Sequence, residues 1–124
     1  MKKIAVNTSN APAAIGPYSQ AIQIDGFIFA SGQLGMDTNK VFPTSVAEQA
    51  RQSIENLYQI LQAADYDINH IVKTTIFLTD IQDFPEVNKV YGEFFAEPYP
   101  ARSTIQVAAL PMGAKVEIEA IAKK

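Results

Sequence analysis

Arg102-Ser103-Thr104-Ile105-Gln106-Val107-Ala108 and Ala114-Lys115-Val116-Glu117-Ile118-Glu119-Ala120-Ile121-Ala122 are the two stretches whose alternation decides the fold. Side chains of an extended chain point to opposite faces in turn. Val116, Ile118 and Ala120 therefore share one face, opposite Glu117 and Glu119. Arg102, Thr104 and Gln106 share a face opposite Ser103, Ile105 and Val107. This reads as two strands, each with one apolar face that meets helices, joined by Leu110-Pro111-Met112-Gly113. If the two pair as a hairpin, Arg102, Thr104, Gln106, Glu117 and Glu119 lie together on one surface, away from the helices.

Working outward, Gln20–Ile24 and Phe27–Ser31 flank Asp25-Gly26, a strong signal for a tight hairpin turn with two left-handed residues. A glycine at Gly32 ends this second strand or lets another backbone or a ligand approach. Val46, Ala50, Ile54, Leu57, Leu61 and Ala64 recur at spacings of four and three, which predicts a helix. Ser45-Val46-Ala47-Glu48 reads as its capping box. Ile71–Thr79 is β-branched and apolar, and predicts a buried strand. A second helix starts at Asp83-Phe84-Pro85-Glu86 with Asp83 as cap. Phe84, Val87, Tyr91, Phe94 and Phe95 form its apolar face, and Pro98 and Pro100 end it. The order β-β-α-β-α-β-β places two helices on one face of a sheet, an α+β sandwich.

The chain has 124 residues, which fits one domain, 1–124. Apolar residues make up 48% and charged residues 19%, which argues for a packed core rather than disorder. A net charge of −3 disfavours binding through phosphate neutralisation, to nucleic acid or to an anionic membrane. With no cysteine there is no thiol nucleophile, disulfide or thiolate metal site, and the single His70 rules out a site built on two imidazoles of one chain. The apolar stretch after Lys2-Lys3 is three residues, too short for a signal sequence. The expected location is the cytoplasm.

The polar surface has two readings. One is a solvated sheet face with cross-strand charge pairs. The other is a ligand site, in which a guanidinium grips a carboxylate with two parallel bonds and a nearby Glu orients or deprotonates a water. A sheet with one half-polar face and an open edge also calls for a partner, and oligomerisation would create clefts between subunits. Other polar residues read more simply. His70 is a surface residue before a strand, Tyr18 a packed ring with an exposed hydroxyl, and Asp80 and Asp83 are caps. Asn88 stands one position off the apolar stripe of its helix, solvated or bonded to a neighbouring loop. Gly32, Gly35 and Gly92 lack phosphate-loop spacing.

Several segments, taken in order, carry a resemblance. They are Ala11-Pro12-Ala13-Ala14-Ile15-Gly16-Pro17-Tyr18-Ser19-Gln20, Ser31-Gly32-Gln33, Gln49-Ala50-Arg51-Gln52 and Ile71-Val72-Lys73-Thr74-Thr75. Asp83-Phe84, Val87-Asn88, Pro100-Ala101-Arg102-Ser103 and Val116 to Ala122 complete the series. Across essentially the whole chain the sequence resembles the RidA (YjgF-type) family of reactive-intermediate enamine/imine deaminases. The resemblance implies a fold like that of the small trimeric chorismate mutases, with a mixed sheet, two helices on one face and three clefts between the subunits of a homotrimer. It implies hydrolysis of 2-imino or 2-enamino acids, such as 2-iminobutanoate and 2-iminopropanoate, to 2-keto acids and ammonia. It implies no cofactor and no metal. By position, Arg102 matches the carboxylate-binding arginine and Glu117 the acid that positions the attacking water. Tyr18 matches a ring lining the cleft and Gly32 a backbone facing the ligand. Ser31, Asn88, Ser103 and Thr104 match cleft-wall positions.

The chain departs from the family pattern at Thr104, where many members carry cysteine, and at Gln106, where Glu is frequent. Met112-Gly113 stands where Lys-Asp is frequent, and Ala96-Glu97-Pro98-Tyr99 is compact. Functions of other classes remain open beside the deaminase. They are a non-catalytic trimer binding small carboxylates, an endoribonuclease or translation inhibitor, and a chaperone-like holdase. Retention of both Arg102 and Glu117 favours turnover over binding alone, and the charge disfavours RNA.

Overall fold

The structure is a computed structural model that describes residues 2–124. The hairpin forms as the sequence predicts. Strand β2 (Ala21–Ile24) turns through Asp25 (φ 52°) and Gly26 (φ 79°) into β3 (Phe27–Leu34). Both central residues take the left-handed conformation that a two-residue turn needs. A short strand before it, β1 (Ile4–Val6), pairs antiparallel with β2 and extends the sheet by one edge beyond the expected order. Strand β3 does not stop at Gly32. It continues to Leu34 through a bulge, because Ala30 pairs with Ala120 but Gln33 with Ile118.

Helix α1 (Val46–Ala63) begins where the cap predicts, with Ser45 Oγ accepting the Glu48 N–H at 3.1 Å. Its buried face is wider than the apolar stripe, since Gln49, Ser53 and Asn56 are buried beside Ala50, Ile54 and Leu57. Each of the three polar side chains bonds to backbone. Ser53 Oγ donates to Gln33 O (2.7 Å), and Asn56 Nδ2 donates to Leu34 O (3.2 Å) and Met36 O (2.9 Å). Gln49 accepts the Lys115 N–H at 2.9 Å and donates to Pro43 O at 2.9 Å. This row satisfies carbonyls at the end of β3 that would otherwise be buried without partners. It also draws the helix so close that a Cβ on Gly35 would lie 2.1 Å from Gln49 O and 2.5 Å from Gln49 Cα.

Strand β4 (Ile71–Leu78) leads through a single 3-10 turn (Ile81–Asp83) into α2 (Phe84–Phe94). Asp83 occupies the cap position of α2, but its carboxylate makes no capping bond. Asp80 caps the preceding turn instead, accepting the Gln82 N–H at 2.9 Å. Strand β5 (Ala101–Gln106) and strand β6 (Val116–Lys123) follow. The spatial order is β1-β2-β3-β6-β4-β5. It gives an α+β mixed sheet, antiparallel except for β4 and β5.

Two expectations about the last strands are corrected. They form no hairpin: β6 inserts between β3 and β4, and β5 lies parallel to β4 at the edge. A parallel neighbour requires a crossover, and α2 supplies it. The faces of β5 are also reversed. Arg102 aligns with Thr74 and Thr104 with Ile76, both on the helix side, so Arg102, Thr104 and Gln106 face α2. Ser103 and Ile105 face the open side. The physical reason is that α2 presents rings and an amide to this edge, over which an arginine can lie.

The core sits between the helices and the central strands. Ile28, Ile54, Leu57, Ile60, Ile76, Leu78, Val87, Val116 and Ile118 are fully buried. Each contributes about 1.5–3 kcal/mol by removal from water. The other sheet face is bare and apolar at several points: Phe29 and Ile105 are each 45% exposed, and Phe27 stacks on Phe29 at 5.8 Å. No helix among the described residues is long and apolar enough to cross a membrane. Because the neighbour of Gly35 is backbone, Gly35→Ala forces α1 away from β3. Denaturant unfolding at fixed protein concentration is expected to show a loss of about 1–3 kcal/mol. An unchanged midpoint would show that α1 does not press on the end of β3.

Candidate active site

The bulge in β3 decides what faces Glu117. Period two puts Glu117 on the open side of β6, beside Leu34 of β3 and Phe77 of β4. The extra residue of the bulge turns Gly32 toward it. A Cβ at Gly32 would lie 2.7 Å from Glu117 Oε2 and 2.8 Å from Cδ, so only glycine leaves the carboxyl where it sits. Bulges commonly re-aim side chains in this way beside functional sites.

Two hydrogen-bond sets hold the walls. Gln20, buried at the start of the hairpin, accepts the Thr8 N–H (2.7 Å) and donates to Thr8 O (3.1 Å) and Pro12 O (2.9 Å). It ties the segment that carries Tyr18 to the sheet. Ser31 Oγ donates to Ser19 O at 2.6 Å and the Ser31 N–H to Gln20 O at 2.9 Å. The resulting recess has a volume of about 730 Å³. Tyr18, Ser31, Gly32, Glu117 and Glu119 line it, with an apolar rim that includes Ile15, Met36 and Met112. Half-burial, and then the neighbouring Glu119 carboxylate, raise the Glu117 pKa above the usual carboxylate range. Such a group exchanges protons with water closer to neutrality than an ordinary Glu.

Arg102 lies elsewhere. From the edge strand its side chain crosses α2, where Nη1 donates to Asn88 Oδ1 at 2.8 Å. Its Cζ stands 5.2 Å from the Phe84 ring centre and 4.8 Å from that of Tyr91. A second recess, of about 440 Å³, is lined by Arg102, Asn88, Tyr91, Gly92, Tyr99 and Pro100. The Tyr91 hydroxyl is paired with Thr74 Oγ1 at 2.7 Å, and burial raises its pKa despite that bond and the nearby Arg102 charge. Tyr91 is therefore a neutral ring donor under the cation.

The candidate residues thus fall into two groups on opposite faces of one sheet. Tyr18, Ser31, Gly32 and Glu117 come together in the first recess, and Arg102 and Asn88 in the second. Ser103 points to the open face and Thr104 lies half-buried on the helix face beside Ile76; neither lines a recess. The single polar surface expected for Arg102 and Glu117 does not exist within one chain. Sequence reasoning missed Phe84 and Tyr91 as neighbours of Arg102, because both read as core. The available signal was their spacing with Asn88, at i, i+4 and i+7 on one helix face.

This α+β sheet sets a carboxyl against a bulge glycine on one face and an arginine at its edge on the other, each beside a recess of small-ligand size. The sequence profile of the family described as endoribonuclease L-PSP matches residues 8–124. The mouse 2-iminobutanoate/2-iminopropanoate deaminase is 52% identical over 119 residues, covering 94% of this chain and 88% of the relative. Two crystal structures from E. coli superpose closely. The YjgF gene product is 46% identical with a TM-score of 0.93, and TdcF with bound serine is 43% identical with a TM-score of 0.93. Each superposition covers 98% of both chains. The chain belongs to this endoribonuclease L-PSP family, that of the RidA (YjgF-type) deaminases.

The sign of the Glu117 shift makes a stability prediction. A raised carboxyl pKa means that the folded chain holds the neutral form more tightly than the unfolded chain does. Glu117 therefore costs no stability below the unfolded value, costs progressively more as pH rises from the unfolded to the folded value, and costs a constant amount above it. Glu117→Gln, permanently neutral, is expected to melt higher than wild type at pH 7. The gain should fade as pH drops to about 4, the ordinary Glu value. A lower melting temperature at pH 7 would mean that the ionised carboxylate is held by favourable contacts.

Proposed function

We propose that the protein hydrolyses 2-imino and 2-enamino acids to 2-keto acids and ammonia, and so removes reactive enamines. It would do so as a cytoplasmic homotrimer in which residues 1–124 form one domain. The observation that carries this reading is the division of the site: a carboxylate-gripping fork on one face and a water-orienting carboxyl on the other, both open to solvent. Neither group alone is a catalyst for this reaction. A cyclic trimer that sets the edge of one sheet against the open face of the next brings Arg102 and Asn88 of one subunit to Glu117, Gly32, Ser31 and Tyr18 of its neighbour. The exposed apolar side chains Phe29 and Ile105 support such an interface, since an oligomer would cover them. The mouse relative carries the name of this activity at 52% identity.

In this cleft, Arg102 fixes the substrate carboxylate through its planar fork. Backbone groups near Gly32 and Thr104 orient the C=N group, with Ser103 on the wall. Glu117 accepts a proton from water as the oxygen adds to the imine carbon, while the imine nitrogen takes up a proton. The protonated Glu117 then gives its proton to the amino group, which leaves as ammonia, while the hydroxyl proton passes to solvent to balance the one taken up at nitrogen, giving the keto acid and the ionised Glu117. An enamine enters the same route after protonation at carbon. Imines hydrolyse unaided in water, so positioning and modest acid–base help suffice.

An assay that generates the imine with an amino-acid oxidase and traps it with semicarbazide tests this. Wild type should divert imine from the trap, and Arg102→Ala should lose about 10²-fold or more in kcat/KM. Full activity in Arg102→Ala would overturn the assignment of the arginine. Absence of diversion by wild type, over small and bulky imino acids, would overturn the deaminase. The shared cleft has its own test. When inactive Arg102→Ala and Glu117→Gln chains are unfolded together and reassembled in equal amounts, about a quarter of the clefts in random trimers receive both intact halves. Activity should return to that level, and no return would overturn the shared cleft.

A further inference from the structure

On the reading above, Arg102 is the group that grips the substrate. We infer that Phe84 and Tyr91 are positioning residues for it: with Asn88 they form a cradle on α2 that aims the guanidinium before any ligand arrives. The three residues stand at i, i+4 and i+7, which brings them to one face of the helix. Asn88 takes one Nη1 proton at 2.8 Å, and the two rings lie 5.2 and 4.8 Å from Cζ. Among the described residues, Nε and Nη2 of Arg102 have no partner and Arg102 forms no ion pair. The cradle thus holds the cation without neutralising it. An acidic residue in the place of Asn88 would compete with a substrate carboxylate, whereas an amide and two ring faces do not.

The rings are themselves held. Tyr91 is buried, its hydroxyl is tied to Thr74 of β4 at 2.7 Å, and its ring packs on Phe95 at 4.4 Å. Thr74 aligns with Arg102 across the β4–β5 pair. The strand that carries the arginine is thus registered against the residue that anchors the ring beneath it. An arginine on an exposed edge strand otherwise samples many rotamers, and ordering it would weaken every binding event. Phe84, partly buried at the first turn of α2 where it packs on the margin of the core, offers a cleaner probe than the buried Tyr91, because Phe84→Leu keeps an apolar side chain there.

The test compares wild type with Phe84→Leu, which removes the ring but keeps an apolar side chain, and with Phe84→Trp, which restores a ring. Calorimetric binding of 2-oxobutanoate, the keto acid expected from 2-iminobutanoate, reads the cradle whether or not the protein turns over. Imine hydrolysis reads KM and kcat separately. Phe84→Leu should weaken 2-oxobutanoate binding and raise KM by about tenfold, with kcat within about twofold of wild type. Phe84→Trp should restore both. A Leu variant that melts like wild type and binds like wild type overturns the inference. So does a loss in kcat without a change in KM, or a loss that Phe84→Trp does not repair, since these mark a merely structural residue. Wild type that fails to bind 2-oxobutanoate overturns it too. Wild type that binds, with binding that depends on Phe84, but does not hydrolyse imines leaves the cradle standing and removes the deaminase.

Discussion

The whole arrangement depends on β6 lying between β3 and β4. A strand flanked on both sides has all its backbone groups paired, and its side-chain register is fixed against two neighbours at once. Val116, Ile118, Ala120 and Ala122 then have to enter the core, and Glu117 and Glu119 have to face the other way. A slip by one residue would bury two carboxylates and expose four apolar side chains. The cost of an unpaired buried charge makes that register the only viable one. Everything else about the site follows from what the neighbours bring up to this strand.

On the β3 side the neighbour is a bulge, and the bulge is pinned from behind. Ser53 and Asn56 of α1 bond to the carbonyls of Gln33 and Leu34, immediately after the extra residue. Those bonds fix the strand past the bulge, while Ser31, bonded to Ser19 and Gln20, fixes it before. Gly32 is held between two anchored points and faces a carboxyl whose pKa is raised by half-burial and then by the Glu119 charge. A site that raises a carboxyl pKa is less stable for it, and such local conflicts are expected where chemistry is to be done.

How far the sequence could be read follows from the range of the forces involved. The Asp25-Gly26 turn, the Ser45 cap and the stripe of α1 are set by residues a few positions apart, and all three form as their spacing predicts. Strand β1 is three residues long and is held by pairing with β2 alone, so no periodicity could announce it. The polar row Gln49, Ser53 and Asn56 is buried because strand carbonyls await it, a tertiary fact that a count of apolar residues cannot see. The placing of β5 failed for a similar reason. Ser103-Ile105 against Arg102-Thr104-Gln106 says which residues share a face, not which face meets the helix. That choice was settled by Phe84, Asn88 and Tyr91, which can receive a guanidinium. Arg102 and Glu117 were legible as residue types suited to one chemistry, while their separation depended on a strand order that alternation leaves open.

That separation has a physical logic. The features a lone chain would most need to cover are its bare apolar sheet face and its unpaired β5 edge. The two halves of the site lie on these same features. In the proposed trimer, covering Phe29 and Ile105 would be favourable at about 25 cal/mol per Å² of apolar surface, which works against the cost of desolvating Glu117 and Arg102. There, Glu117 and Arg102 of neighbouring subunits would face each other across the substrate, since within one chain they lie on opposite faces of the sheet. A direct ion pair would hold both groups in a geometry useless for binding an imino acid. Their placement on opposite faces of the sheet prevents that pair from forming within a chain. The proposed trimer is then the step that joins fold to function, because it turns two incomplete surfaces into one site.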